Sequence, residues 1–194
     1  MSHLRIAEVS KFLRHTLWLG MAEDSDTKQL VSSENNIVLS NPGQPADEQR
    51  NISLWLYQVV PNEHLRNAAF VRQGSDGLEQ YPPLSLNLYY LLTPSTGKDE
   101  GDQKVLGKAL QVFHDQSILA MPSSETPGEG EELHVALVQR TIEELAEVWE
   151  ALQKPYRLSV CYEVRVVRIS SRRVVQARRI GERAADLGTV GAGA

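Results

Sequence analysis

Residues 156 to 167 read YRLSVCYEVRVV, and this stretch decides the fold. Tyr156, Leu158, Val160, Tyr162, Val164 and Val166 alternate with Arg157, Ser159, Cys161, Glu163, Arg165 and Val167, a period of two that predicts a β-strand with one apolar face. At about 3.3 Å per residue such a run spans some 40 Å, about twice the usual strand, so its far end is expected to leave the core. Just upstream, Thr141 and Glu144 stand three apart, the spacing at which each side chain satisfies a free backbone N–H at the start of a helix. Ile142, Leu145, Trp149 and Leu152 then predict the inner stripe of that helix, and Pro155 stops it. Downstream, SRRVVQARRIGERAADLGTVGAGA is too basic and too poor in apolar groups to build a second core. The reading is a domain over 1–170 followed by a basic, partly flexible C-terminal arm over 171–194.

The rest of the chain supplies the partners of that strand. Leu84, Leu86, Leu88, Tyr90 and Leu92 fall on one face of a second strand bounded by Pro82-Pro83 and Pro94. Residues 52 to 60, ISLWLYQVV, are apolar on both faces, as a central strand would be, and Pro61 ends them. Leu133, Val135 and Leu137 predict a short strand, and Ile37 with Leu39 another. Ile6, Val9, Leu13 and Leu17 recur at helical spacing between Ser2, read as an N-cap, and Gly20, read as a stop. A further helix is expected with Asp102 as its N-cap, Val105, Leu106, Ala109, Leu110 and Phe113 buried, and its end near His114. Residues 22 to 36 are polar without period and read as an exposed connection. The fold class is α+β: a single domain with a mixed β-sheet flanked by about three helices.

Composition narrows the function classes. The chain has 194 residues, a net charge of −5 and one cysteine, Cys161, which has no internal partner for a disulfide. No uncharged apolar run approaches 18 residues, so neither a signal peptide nor a membrane anchor is expected. The five histidines, His3, His15, His64, His114 and His134, are scattered, and no pair has i, i+4 spacing. Glu143, Glu144, Glu147 and Glu150 read as a capping residue and a solvated helix face, and Cys161 as a small residue on the polar side of its strand. No phosphate-binding glycine loop or nucleophile elbow is present. Catalytic, cofactor and metal sites are therefore not expected, and no small-molecule substrate.

Two regions stand out as interface candidates. Asn62, Leu65, Arg66 and Asn67 lie in the loop that leaves the strand at Pro61, where polar groups meet a sheet end without a nucleophile or base beside them. Their alternative role is loop stabilisation, with Asn62 and Asn67 bonding to nearby backbone. Arg165, Arg168, Arg172, Arg173, Arg178, Arg179 and Arg183 with the single acid Glu182 give a local +6 in a chain of net −5. Arginine favours bidentate pairing with carboxylate or phosphate, so an acidic protein surface and nucleic acid are both open as partners at this point.

Four segments, SLWLYQVVPNEHLRN (53–67), PPLSLNLYYLLTP (82–94), VLGKALQVFHDQSIL (105–119) and ELAEVWEALQKPYRLSVCYEVRVVRI (144–169), in this order and spacing, resemble the N-terminal domain of cap proteins, or tail terminators, of phage-tail-like contractile injection systems. The resemblance covers about residues 3 to 170. It implies a non-enzymatic part: a homohexameric ring that sits on the last ring of inner tube and sheath, ends their growth and ties the two together. Its partners would be sheath and inner-tube proteins of the same particle, with no cofactor, no membrane and no need of nucleic acid. It would assemble in the cytoplasm, with later release in an extracellular particle left open. A nucleic-acid-associated protein that uses the arginine arm is the alternative.

Overall fold

Val9, Leu13, Leu17 and Met21, four residues apart, form one buried stripe along α1 (Arg5–Glu23). In this computed structural model, which describes residues 2–44, 50–65, 69–73, 78–122 and 130–176, the helix runs three residues past the expected stop at Gly20. Gly20 is not a cap. It is the point where α1 meets α3 (Asp99–Asp115): a Cβ built there would lie 2.2 Å from Val112 Cγ2. Valine is stiff at χ1 and cannot swing clear cheaply. Gly20→Ala should therefore cost about 1–3 kcal/mol despite the better helix propensity of alanine, lowering Tm by roughly 2–12 °C. A thermal melt at or above wild type would contradict the close approach.

The segment expected to be an exposed connection carries α2 (Ser25–Leu30) and a 3₁₀ turn at Glu34–Asn36. Asp24 caps α2 by accepting from the backbone N–H of Asp26 and Thr27, both at 2.9 Å. Those bonds, that from Thr27 first, hold its carboxyl below the usual range. A six-residue helix shows no apolar period, which is why the sequence hides it. α3 likewise starts at Asp99 rather than after Asp102. The Oδ1 of Asp102 instead accepts from the N–H and hydroxyl of Thr96, at 2.6 and 2.8 Å, closing the turn before the helix.

The sheet runs in the order β1 (Ile37–Val38), β2 (Ile52–Pro61), β5 (Leu84–Pro94), β8 (Val160–Ile169), β7 (Gly130–Val138), β6 (Ile118–Pro122). β1 pairs parallel with β2 and every other pairing is antiparallel. Leu86, Leu88, Tyr90 and Leu92 of β5 face the α1 and α3 stripe in the main core. On the opposite face Leu91 and Cys161 lie under Leu145 and Trp149 of α4 (Ile142–Ala151). The expected capping box is present, with Glu144 N–H donating to Thr141 Oγ1 and Thr141 N–H to Glu144 Oε2. Ile142, placed in the inner stripe by the sequence, is instead exposed at the first turn.

β8 begins at Val160, four residues later than the alternation predicts, so it is ordinary in length. Arg157 and Ser159 are used locally: Arg157 Nη2 donates to Pro94 O at 2.9 Å, and Ser159 Oγ accepts from Trp149 Nε1 at 3.2 Å. The far end does not leave the sheet within the strand, because Ile169 still pairs with Leu84. β6 was not expected from the sequence; Leu119 and Met121 are buried while Ile118 and Ala120 are exposed, an alternation too short to register.

The chain divides into two compact units, 1–67 with 83–170, and 68–82 with 171–194. The larger unit holds the mixed sheet and the four α-helices found among the described residues. In the smaller, the described strands β3 (Val71–Gln73), β4 (Leu78–Gln80) and β9 (Val174–Gln176) form an antiparallel sheet in that order. Tyr81 N–H donates to Arg173 O at 3.0 Å, and the Arg173 guanidinium lies 4.5 Å from the Tyr81 ring centre. The first residues of the expected arm thus form a strand paired with β4 and do not arrive with both edges free.

Candidate assembly surface

Asn62 follows the last residue of β2 and is buried. Its Oδ1 accepts from the backbone N–H of His64 and Leu65, both at 3.1 Å, which folds Glu63–Leu65 into a 3₁₀ turn. Its Nδ2 donates to Asn87 Oδ1 at 2.9 Å, and its own N–H donates to Ser85 O at 2.8 Å. Asn87 Nδ2 in turn donates to Glu163 Oε1, which also accepts from Tyr89 Oη, both at 2.8 Å. The side chain of Asn62 is thus engaged within its own subunit, closing a polar chain across β5 and β8. Leu65 is half-buried in the turn. Arg66 and Asn67 lie outside the described residues.

The described arginines of this set are divided between the two units. Arg165 is exposed with Nη1 3.7 Å from Glu163 Oε2, and Arg168 is exposed with Nη1 3.7 Å from Glu131 Oε1. Exposed pairs at that separation contribute at most about 1 kcal/mol, so both side chains remain open to other partners. Arg172 and Arg173 are exposed in the smaller unit, and Arg178, Arg179 and Arg183 lie outside the described residues.

Cys161 does not lie on a polar side: it is packed among Leu91, Leu145 and Trp149, and burial pushes its thiol up. Burial likewise raises the neighbouring Tyr57 phenol to about 12. Among the described residues no three of His, Cys, Asp and Glu are placed to hold a metal ion. No described helix is long and apolar enough to cross a membrane.

The larger sheet carries features that the sequence reading missed. β2 has a strand on its outer side only at Ile52 and Ser53, so among the described residues its remaining length is an open edge, with Gln58, Val59 and Pro61 exposed. On the opposite side of the sheet β6 covers β7 only up to His134, followed by one bond from Val135 N–H to Ser117 O. Ala136, Leu137 and Val138 are paired with β8 and open on their other side. Beside them lies a cavity of about 440 Å³, lined mainly by Leu110, Phe113, Val135, Ala136, Leu137 and Tyr162 with His114 and Ser117 also at its wall. Tyr162 is 3% exposed, yet its hydroxyl has no hydrogen-bond partner. Its ring meets Phe113 edge to face at 4.9 Å, and burial pushes its phenol up to about 12. An unpaired polar atom sealed beside an apolar cavity is the signal that could have marked this place, but it needs the folded sheet to be visible.

The fold resembles the cryo-EM structure of the PVC sheath/tube terminator of an extracellular contractile injection system in its extended state, with a TM-score of 0.56 and 17% sequence identity over 87% of this chain and 63% of that one. The anti-feeding prophage cap, a tube-terminating cap, gives a TM-score of 0.49 and 19% identity over 73% of this chain and 51% of that one. The chain therefore spans less than two thirds of the length of either. No curated protein matches the sequence. The model of the Pvc16 N-terminal domain matches residues 8–182, and a match over that much of its length makes this chain a member of the Pvc16 N-terminal domain family.

Proposed function

We propose that this chain is the cap, or tail terminator, of a contractile injection system: six copies form a ring on the last ring of tube and sheath, end their polymerisation and tie sheath to tube. The observation that carries this reading is family membership over residues 8–182 together with a fold shared with a sheath/tube terminator. The role is mechanical and requires no reaction, cofactor or membrane. Assembly takes place in the cytoplasm, and the ring leaves the cell with the particle if the particle is released. Within this reading 1–170 is the ring-forming part and 171–194 the basic segment that meets a partner.

Deleting the gene should leave tube and sheath subunits made while producing tubes of irregular length, or sheaths that contract or fall away early. Particles of normal length and contraction in the deletion strain would refute the proposal. The arginines belong to the same reading, as contacts to acidic side chains on the neighbouring cap subunit or the top tube or sheath ring, and Asn62, Leu65, Arg66 and Asn67 belong to it as interface or loop-supporting residues. Changing Arg172, Arg173, Arg178 and Arg179 together to Glu should abolish docking on tube or sheath ends without unfolding the chain. Intact docking of that variant, together with tight and salt-sensitive binding of the unaltered protein to random DNA, would favour a nucleic-acid role instead.

A further inference from the structure

A closed ring of identical subunits needs a heterologous interface, in which one patch of a subunit meets a different patch of the next. The larger sheet presents two such patches on opposite sides: the outer edge of β2 beyond Ser53, and the end of β7 beyond the reach of β6. Soluble proteins normally protect open strand edges with charge. Neither carries a charge here: residues 58–61 read QVVP, where Pro61 ends the β2 edge, and residues 135–138 read VALV. Both also expose an apolar side chain, Val59 at 43% and Leu137 at 57%. Val59 pairs with Leu88 and Leu137 with Tyr162, and directly opposed residues share a face, so both project from the face that α1 and α3 cover.

We infer that the open edge of β2 in one copy adds as a strand to the open end of β7 in the next, seating Val59 over the Tyr162 cavity and joining the two sheets. The inference rests on the cap reading and names the contact that closes its ring. Three observations meet in it. The uncharged edges supply unpaired backbone groups to each other. The two exposed apolar side chains come to the same face. The cavity, about 440 Å³ and lined mainly by apolar groups with His114 and Ser117 among them, gains an apolar occupant.

The test uses assembled particles carrying Val59→Cys together with Leu137→Cys. The native Cys161 is buried and does not compete. Mild oxidation should give, on a non-reducing gel, a ladder of bands from dimer to hexamer in the double variant that collapses on reduction, and none in either single variant. A cap present at normal occupancy in the double variant without any ladder would overturn the inference. Val59→Ala supplies an independent reading. Truncating a side chain that is exposed in the free subunit should leave its melting temperature unchanged, while cap retention on diluted particles weakens about tenfold through the lost apolar burial. A lower melting temperature with unchanged retention would overturn the inference, because the side chain would then serve the subunit itself. Copy number is read separately from wild-type particles, so absence of a cap ring there would defeat the functional reading, whereas a six-copy ring without the cross-link defeats only this interface.

Discussion

Replacing Arg5 by Ala should remove about 3–5 kcal/mol of stability and lower Tm by roughly 6–20 °C. The guanidinium is buried at the start of α1, where Nε and Nη2 donate to Glu131 Oε2 at 2.9 and 2.7 Å. Nη1 reaches Pro122 O at 3.3 Å and Glu8 Oε2 at 3.4 Å. One side chain therefore fixes the first turn of α1 to β7 and to the end of β6. Its removal strands the Glu131 carboxylate, whose Oε1 is already buried without a hydrogen bond and has only the exposed Arg168 at 3.7 Å. An uncompensated buried charge is the expensive outcome, more so than the loss of the pair itself. Arg5→Met combined with Glu131→Gln should accordingly cost less than Arg5→Ala alone. A denaturant titration placing Arg5→Ala within about 1 kcal/mol of wild type would contradict this account.

A loss of similar size, about 3–5 kcal/mol, is expected for Trp149→Ala. Trp149 is the largest fully buried side chain of the second cluster and, with Leu145, holds α4 on the sheet face formed by Leu91 and Cys161. Its Nε1 donates to Ser159 Oγ, which itself donates to Arg157 O at 3.1 Å, so the indole also fixes the chain just before β8. Truncation leaves a cavity too large to collapse under a ten-residue helix and removes the only donor to that hydroxyl among the bonds described. Thermal and urea unfolding should both register it, with the near-ultraviolet signal of the remaining aromatics altered before secondary structure is lost. Ser159→Ala should cost less, about 1–3 kcal/mol, by leaving one buried N–H unpaired. Wild-type stability in Trp149→Ala would mean that α4 is held by other contacts.

The parts of the fold that were legible are those where one local pattern decides the element. The period-two runs of β5 and β8 and the capping box at Thr141 and Glu144 gave the two central strands and α4, because a half-buried strand and an exposed helix start leave their marks in consecutive residues. Element boundaries failed where tertiary contact overrides local preference. Gly20 looks like a terminator and is a packing surface; Asp102 looks like a cap and ties a loop; Tyr156 and Leu158 continue the alternation of β8 but lie outside it. Short pieces such as α2, β6 and β9 carry too few residues for any period to emerge.

The candidate site was less legible than the fold. The resemblance placed the family from four segments, and the family model extends the match from about residue 170 to 182. The role of Asn62 in its turn follows from its residue type, since an amide after a strand end readily accepts from the next backbone N–H groups. The open ends of β2 and β7 and the unpaired hydroxyl of Tyr162 depend on which strands are neighbours and how far each extends. Those are long-range facts, separated by up to about a hundred residues of sequence, and no local pattern encodes them.

The central claim is that this chain caps a tube and sheath as a ring of six. Cryo-EM of intact particles, with this protein tagged and its deletion strain imaged in parallel, tests it most directly. The account predicts one ring of six copies at a single tip, in contact with the last tube and sheath rings, and loss of that ring on deletion. The protein's absence from both tips, or its presence in any other number of copies, would contradict it.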